Sequence, residues 1–150
     1  MAGTTPNLKP PSSLSNPTSY IVVVGRLLYS AIFITAGFEQ IYRAQETVAA
    51  AAKQGVPLAH IAVPVAAVIA IFGGVSILLG YYARVGAWLL VLFLVPVTLM
   101  LHNFWAVKNP TLAQTEQIMF MKNVSMLGGA LLITYFGSGP LSLDARRKMT

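Results

Sequence analysis

The chain contains no cysteine. Disulfides, thiol catalysis, thiolate-bound zinc and cysteine-held iron–sulfur clusters are therefore excluded together. Charge is almost as scarce: Asp, Glu, Lys and Arg make up 9% of the 150 residues, against about 25% in an ordinary soluble domain. Acid is scarcest of all, with Asp144 the only aspartate. No Gly-rich phosphate loop, GxSxG elbow or HExxH helix occurs. No hydrolase constellation is in view, and a self-contained enzyme is not expected. The net charge of +6 comes from basic residues scattered singly or gathered near the C-terminus. They form no stripe that could track phosphates, so nucleic acid is not an expected partner.

What fills the chain is hydrocarbon: 56% of residues are hydrophobic and the mean hydropathy is +0.70. Runs of roughly 18 or more apolar residues read as spanning helices. Four such runs are visible, expected as helices over residues 20–42, 59–79, 84–105 and 116–136. The fold class is all-α, a transmembrane four-helix bundle whose short connections dictate up-down-up-down topology. Residues 1–19, rich in Pro, Ser, Thr and Asn, read as a disordered tail. Residues 20–138 form the domain and residues 139–150 a basic C-terminal tail. A cleavable leader would carry an apolar region of about 7–15 residues; the first run is longer and reads as a retained span. Pro64 is expected in or near the first turn of the second span, Pro96 well inside the third, and "KNPT" (residues 108–111) as a turn before the fourth.

An even number of spans puts both termini on one side. Lys9, Arg84, Arg146, Arg147 and Lys148 gather there, against Arg43, Lys53 and Lys108 on the other. The positive-inside rule then places both termini in the cytoplasm.

This topology brings polar residues of all four spans to one depth. Glu39 and Gln40 lie about one turn inside the outer end of the first span, ~5 Å at 1.5 Å per residue. His60 opens the second span on that side, His102 and Asn103 close the third, and Lys122 and Asn123 fall near the start of the fourth. Charges in hydrocarbon face the bundle interior and pair, so Lys122 is expected to meet Glu39, His102 or Asn103. The plainer alternative is that Lys122 snorkels and that His102-Asn103 with Trp105 only marks a helix end. Arg26 reads as snorkelling or helix-pairing. Paired histidines at positions 60 and 102 carry little weight as haem or metal ligands. Met100, Met119, Met121 and Met126 read as gap-filling core, and the NVS triplet at residues 123–125 lies at membrane depth, where a sequon has no meaning.

Several segments together resemble the DoxX family of small four-helix bacterial membrane proteins. They are "GRLLYSAIFITAGFEQIY" (25–42), "GVP" (55–57), "FGGVSILLGYYARVGAWLL" (72–90), "HNFW" (102–105), "FMKNVSMLGGALLI" (120–133) and "GPLSLDAR" (139–146). The resemblance implies an inner-membrane protein associated with membrane redox systems, including quinone-linked sulfur oxidation and oxidative-stress assemblies. Of the family's polar positions, His102-Asn103 and Lys122-Asn123 match. Gln40 stands where many relatives carry lysine, and Ala70 where many carry glutamate.

The leading expectation is an accessory subunit of a quinone-linked redox or oxidative-stress complex in the bacterial inner membrane. Its partners would be the bilayer, redox-complex proteins and a quinone, with a homo-oligomer also open. The alternatives are a non-catalytic scaffold or assembly factor and, last, a small transporter, whose site would lie nearer the midplane on broken helices.

Overall fold

A computed structural model describes residues 17–147. The tail expected over residues 1–16 and the final residues 148–150 lie outside the described residues. Of the remaining tail positions, Thr18 already opens the first helix and Ser19 is buried.

Six helices follow in order: α1 (Thr18–Tyr42), α2 (Ala44–Lys53), α3 (Ala59–Leu79), α4 (Ala83–Leu101), α5 (Pro110–Phe136) and α6 (Leu143–Arg147). Among the described residues, α1, α3, α5 and α4 with its terminal extension are long and apolar enough to cross a membrane. A 19-residue helix such as α4 spans roughly 28 Å, close to the hydrocarbon thickness. Successive spans pack as neighbours, α1 on α3, α3 on α4 and α4 on α5. Their directions alternate: Ser30 of α1 packs at Gly74 of α3, whereas Gly37 packs at Ala67. The all-α, up-down-up-down bundle expected from the sequence is the observed one.

Small residues set how closely the helices approach. A Cβ added at Gly73 would lie 2.7 Å from the Leu90 side chain and 3.0 Å from the Gly86 carbonyl oxygen. The α3 and α4 backbones therefore approach closely at Gly73 and Gly86, with Leu90 seated over Gly73. Phe33 fills the centre, edge-on to Phe93 with ring centroids 6.3 Å apart, and Ala70, Ile77, Ala87, Leu90, Leu94 and Ala130 complete the core. Tyr29 ties α1 to α5 by donating its hydroxyl to the Met126 carbonyl at 2.6 Å. The outward side chains, among them Ile21, Leu28, Leu92, Leu132 and Phe136, are large, apolar and exposed. That surface suits lipid, where exposure of hydrocarbon carries no penalty.

The elements differ from the sequence reading in α5, in α4 and in the connection that holds α2, each for a local reason. α5 starts at Pro110, six residues earlier than expected. The Asn109 side chain accepts hydrogen bonds from the Thr111 and Leu112 N–H groups at 3.0 and 3.1 Å, and proline fits the first helical position, so "KNPT" is a helix start. α4 stops at Leu101 rather than running to residue 105; Phe104–Ala106 form a 3-10 turn whose Phe104 and Trp105 rings stack edge-on against Phe120. Pro64 lies near the start of α3, in its second turn. The connection expected between the first two spans contains α2, an alanine-rich helix with Glu46 in its first turn and Lys53 in its last. It buries Ala51 in a cluster with Ala59 and Val63, against which Val48, Val56 and Leu101 pack.

The C-terminal tail is built into the fold up to Arg147. Arg26, expected to snorkel or pair, is only 7% exposed and donates to the carbonyls of Ser138 (3.3 Å) and Leu141 (2.7 Å). Gly80 ends α3 with a left-handed φ of 62°, and a side chain there would collide with the Arg26 guanidinium and Ser142. Glycine is thus required twice at one position, for conformation and for space.

Candidate functional site

The polar depth expected from the sequence corresponds to the α2 end of the bundle. A cavity of about 490 Å³ opens there between the end of α1, α2, α3 and α4, with Glu116 of α5 at its rim. Its walls are hydrocarbon, from Val63, Ala66 and Ile69 of α3 to Leu92, Phe93, Pro96, Val97 and Met100 of α4. Pro96 has no N–H to give the Leu92 carbonyl, and both residues line the cavity. Val65 and Leu92 are also half or more exposed on the lipid-facing surface, so the cavity reaches the side of the bundle. α2 forms the roof through Thr47, Ala50, Ala51 and Gln54.

Polar groups gather at one end of this apolar space. His102 Nδ1 lies 2.7 Å from Glu116 Oε2, with the two side chains 23% and 30% exposed. This hydrogen bond to Glu116 fixes the ring and leaves Nε2 for a ligand. The Gln40 and Gln54 amides also line the cavity, each offering two donors and an acceptor. Thr47 adds a hydroxyl whose proton is already given to the Arg43 carbonyl at 2.9 Å. Such a site can orient a flat, carbonyl-bearing ring and seat its apolar tail along the walls.

The residues grouped by depth separate once their directions around each helix are seen. Gln40 and His102 share the cavity. Glu39 points to the surface, 3.7 Å from Arg43, in a shallow depression with Glu46. His60 is exposed near the start of α3 and does not line the cavity, so it does not join His102 there. Asn103 is half-buried at the start of the 3-10 turn, where its carbonyl accepts from Ala106 at 2.9 Å. Asn123 is buried in α5. Lys122 is exposed, and its Nζ contacts Met119 Sδ at 3.2 Å, one turn back on its own helix. The expected meeting of Lys122 with Glu39, His102 or Asn103 is replaced by the His102–Glu116 pair. Glu116 escapes the sequence reading because residues 108–111 are taken as a turn. Starting α5 at Pro110 puts Glu116 in its second turn, level with His102.

Four apolar antiparallel spans with an apolar cavity at one end define a small polytopic integral membrane protein. The chain matches the DoxX family over residues 21–103 and belongs to it. It is 29% identical to the inner membrane protein YphA of Escherichia coli K12 over 126 residues, 84% of this chain and 89% of that protein. It is 31% identical to the inner membrane protein YqjF of the same organism over 123 residues, 82% of this chain and 88% of that one. A shorter similarity, 33% over 82 residues, links it to the ER-derived vesicles protein ERV29 of Saccharomyces cerevisiae, of which it covers 26%. No solved structure matches the chain.

Proposed function

We propose that this protein is an accessory subunit of a quinone-linked redox or oxidative-stress complex in the bacterial inner membrane, with both termini cytoplasmic. In this reading the cavity beneath α2 receives a quinone headgroup. The observation that carries it is the His102–Glu116 pair at the polar end of an otherwise hydrocarbon-walled cavity. A quinone carbonyl accepts a hydrogen bond from His102 Nε2–H or from the Gln40 amide, and its isoprenoid tail leaves past Val65 and Leu92 into lipid. The volume of about 490 Å³ lies within the range of small-molecule pockets, roughly 300–1,000 Å³. The inner-membrane location is supported by the two Escherichia coli relatives whose names state it. The orientation is supported by Arg84, Arg146 and Arg147 at the termini end.

The test is calorimetric titration of a short-tailed quinone into the protein held in lipid nanodiscs. The expected result is saturable binding by the wild type that His102→Ala abolishes at unchanged thermal stability. Absence of binding by the wild type overturns the proposal. The scaffold reading draws on a different observation, the burial of Arg26 in carbonyl contacts that join α1 to the chain beyond α5. It expects full assembly of partner proteins by a His102→Ala variant that binds no quinone.

A further inference from the structure

The opposite end of the bundle holds a second concavity of about 630 Å³, bounded by Tyr82, Arg84 and Val85 of the α3–α4 junction and α4, by residues 136–139, and by Asp144 and Arg147. Its lining carries two guanidiniums against one carboxylate. The only carboxylate in its lining, Asp144, spends its oxygens on the main-chain N–H groups of Tyr82 (2.8 Å) and Ala83 (3.0 Å), with a weaker approach by the Ser138 hydroxyl at 3.4 Å. Arg84 gives one N–H to the Tyr135 carbonyl at 3.0 Å and keeps the others; its guanidinium lies against Gly137, where no side chain intervenes. Arg147 sits over the Tyr82 ring, 4.5 Å from the centroid, and 5.7 Å from that of Tyr81. A hydrogen bond to the Tyr82 side chain, with a smaller contribution from the nearby Asp144 carboxylate, raises its pKa above the ordinary guanidinium value.

Two cations therefore flank a concavity whose wall along Val85 and Phe136 is hydrocarbon. Phe136 and Val85 are 72% and 56% exposed on the face that lipid covers. The site lies where α4 begins and α5 ends, at the boundary of the spans. A phosphodiester held between two guanidiniums, with acyl chains running down Val85 and Phe136, satisfies both kinds of wall. A free anion would leave the apolar wall uncovered. We infer that this concavity is a binding site for the headgroup of an anionic phospholipid, held by Arg84 and Arg147.

The test is native mass spectrometry of the full chain in mild detergent, equilibrated separately with phosphatidylglycerol and with phosphatidylcholine. The wild type is expected to retain phosphatidylglycerol preferentially, and each neutralisation, R84Q or R147Q, is expected to lower that retention about fivefold. A control pair at the far end, R43Q with K53Q, is expected to keep the preference. Equal retention of the two lipids by the wild type, a result that needs no variant to fold, overturns the inference. Unchanged preference in R84Q/R147Q also overturns it. Displacement of phosphatidylglycerol by inorganic phosphate alone overturns the assignment to lipid, because a lipid is held by its chains as well as its charge.

Discussion

The carboxylate of Asp144 accepts a hydrogen bond from the main-chain N–H of Tyr82 at 2.8 Å, and a second from Ala83 at 3.0 Å, so the chain after the fourth span caps the start of the third. Tyr82 has a left-handed φ of 49°, a conformation a tyrosine adopts only when its surroundings impose it. The return bond, Asp144 N–H to the Gly80 carbonyl at 2.8 Å, fixes the junction from the other side. A capping carboxylate removed to alanine costs about 0.5–2 kcal/mol. Asp144→Ala is expected at the upper end, because a strained residue loses its clamp at the same time, and Asp144→Asn is expected to recover part of the loss. Thermal unfolding followed by circular dichroism in detergent checks both.

Arg26 holds the same end of the bundle from within α1, through the Ser138 and Leu141 carbonyls. Arg26→Met keeps the apolar stem and removes the donors. The acceptors stay buried, at a cost of about 1–3 kcal/mol. Arg26→Lys is expected to rescue little, since an ammonium cannot reproduce the two-pronged guanidinium geometry. Equal stability of Arg26→Lys and the wild type in denaturant unfolding would show that charge alone is sufficient.

The glycines separate into contact and spacer positions. Gly73→Val must displace Leu90 or part α3 from α4, and overpacking of this kind costs about 1–3 kcal/mol. Gly128 of α5 has nothing within 4 Å of an added Cβ, and Gly128→Ala is expected to be neutral or to stabilise by up to about 1 kcal/mol. Comparing the two unfolding midpoints tests whether backbone contact between α3 and α4 is specific.

The spans are legible in the sequence because length and continuous hydrophobicity suffice to identify them. What escapes it is local polarity with distant partners. The apolar run of α2, Val48–Ala52, is too short to read as a span, so composition leaves it as a connection. The capping role of Asp144 joins residues 62 positions apart, and no local pattern announces it. Arg26 reads as snorkelling or helix-pairing until the chain after α5 is seen folded over it. The candidate site is legible in depth and not in direction: Gln40 and His102 reach the cavity, while Lys122, at a comparable level, faces outward.

That difference of direction yields the sharpest comparison. Glu116 and Lys122 are six residues apart on α5, a rotation of about 600° at 100° per residue, which sets their side chains roughly 120° apart around the helix. Glu116 therefore meets His102 while Lys122 turns back onto Met119. If the cavity binds a quinone through an imidazole fixed by Glu116, Glu116→Gln weakens that bond by about the worth of one charge-assisted hydrogen bond, near 1.4 kcal/mol or tenfold in affinity. Lys122→Ala leaves the affinity unchanged, because its ammonium does not line the cavity. Calorimetric titration of both variants with a short-tailed quinone decides the point, and the reverse ranking would move the ligand site away from the α2 cavity onto the outer face of α5.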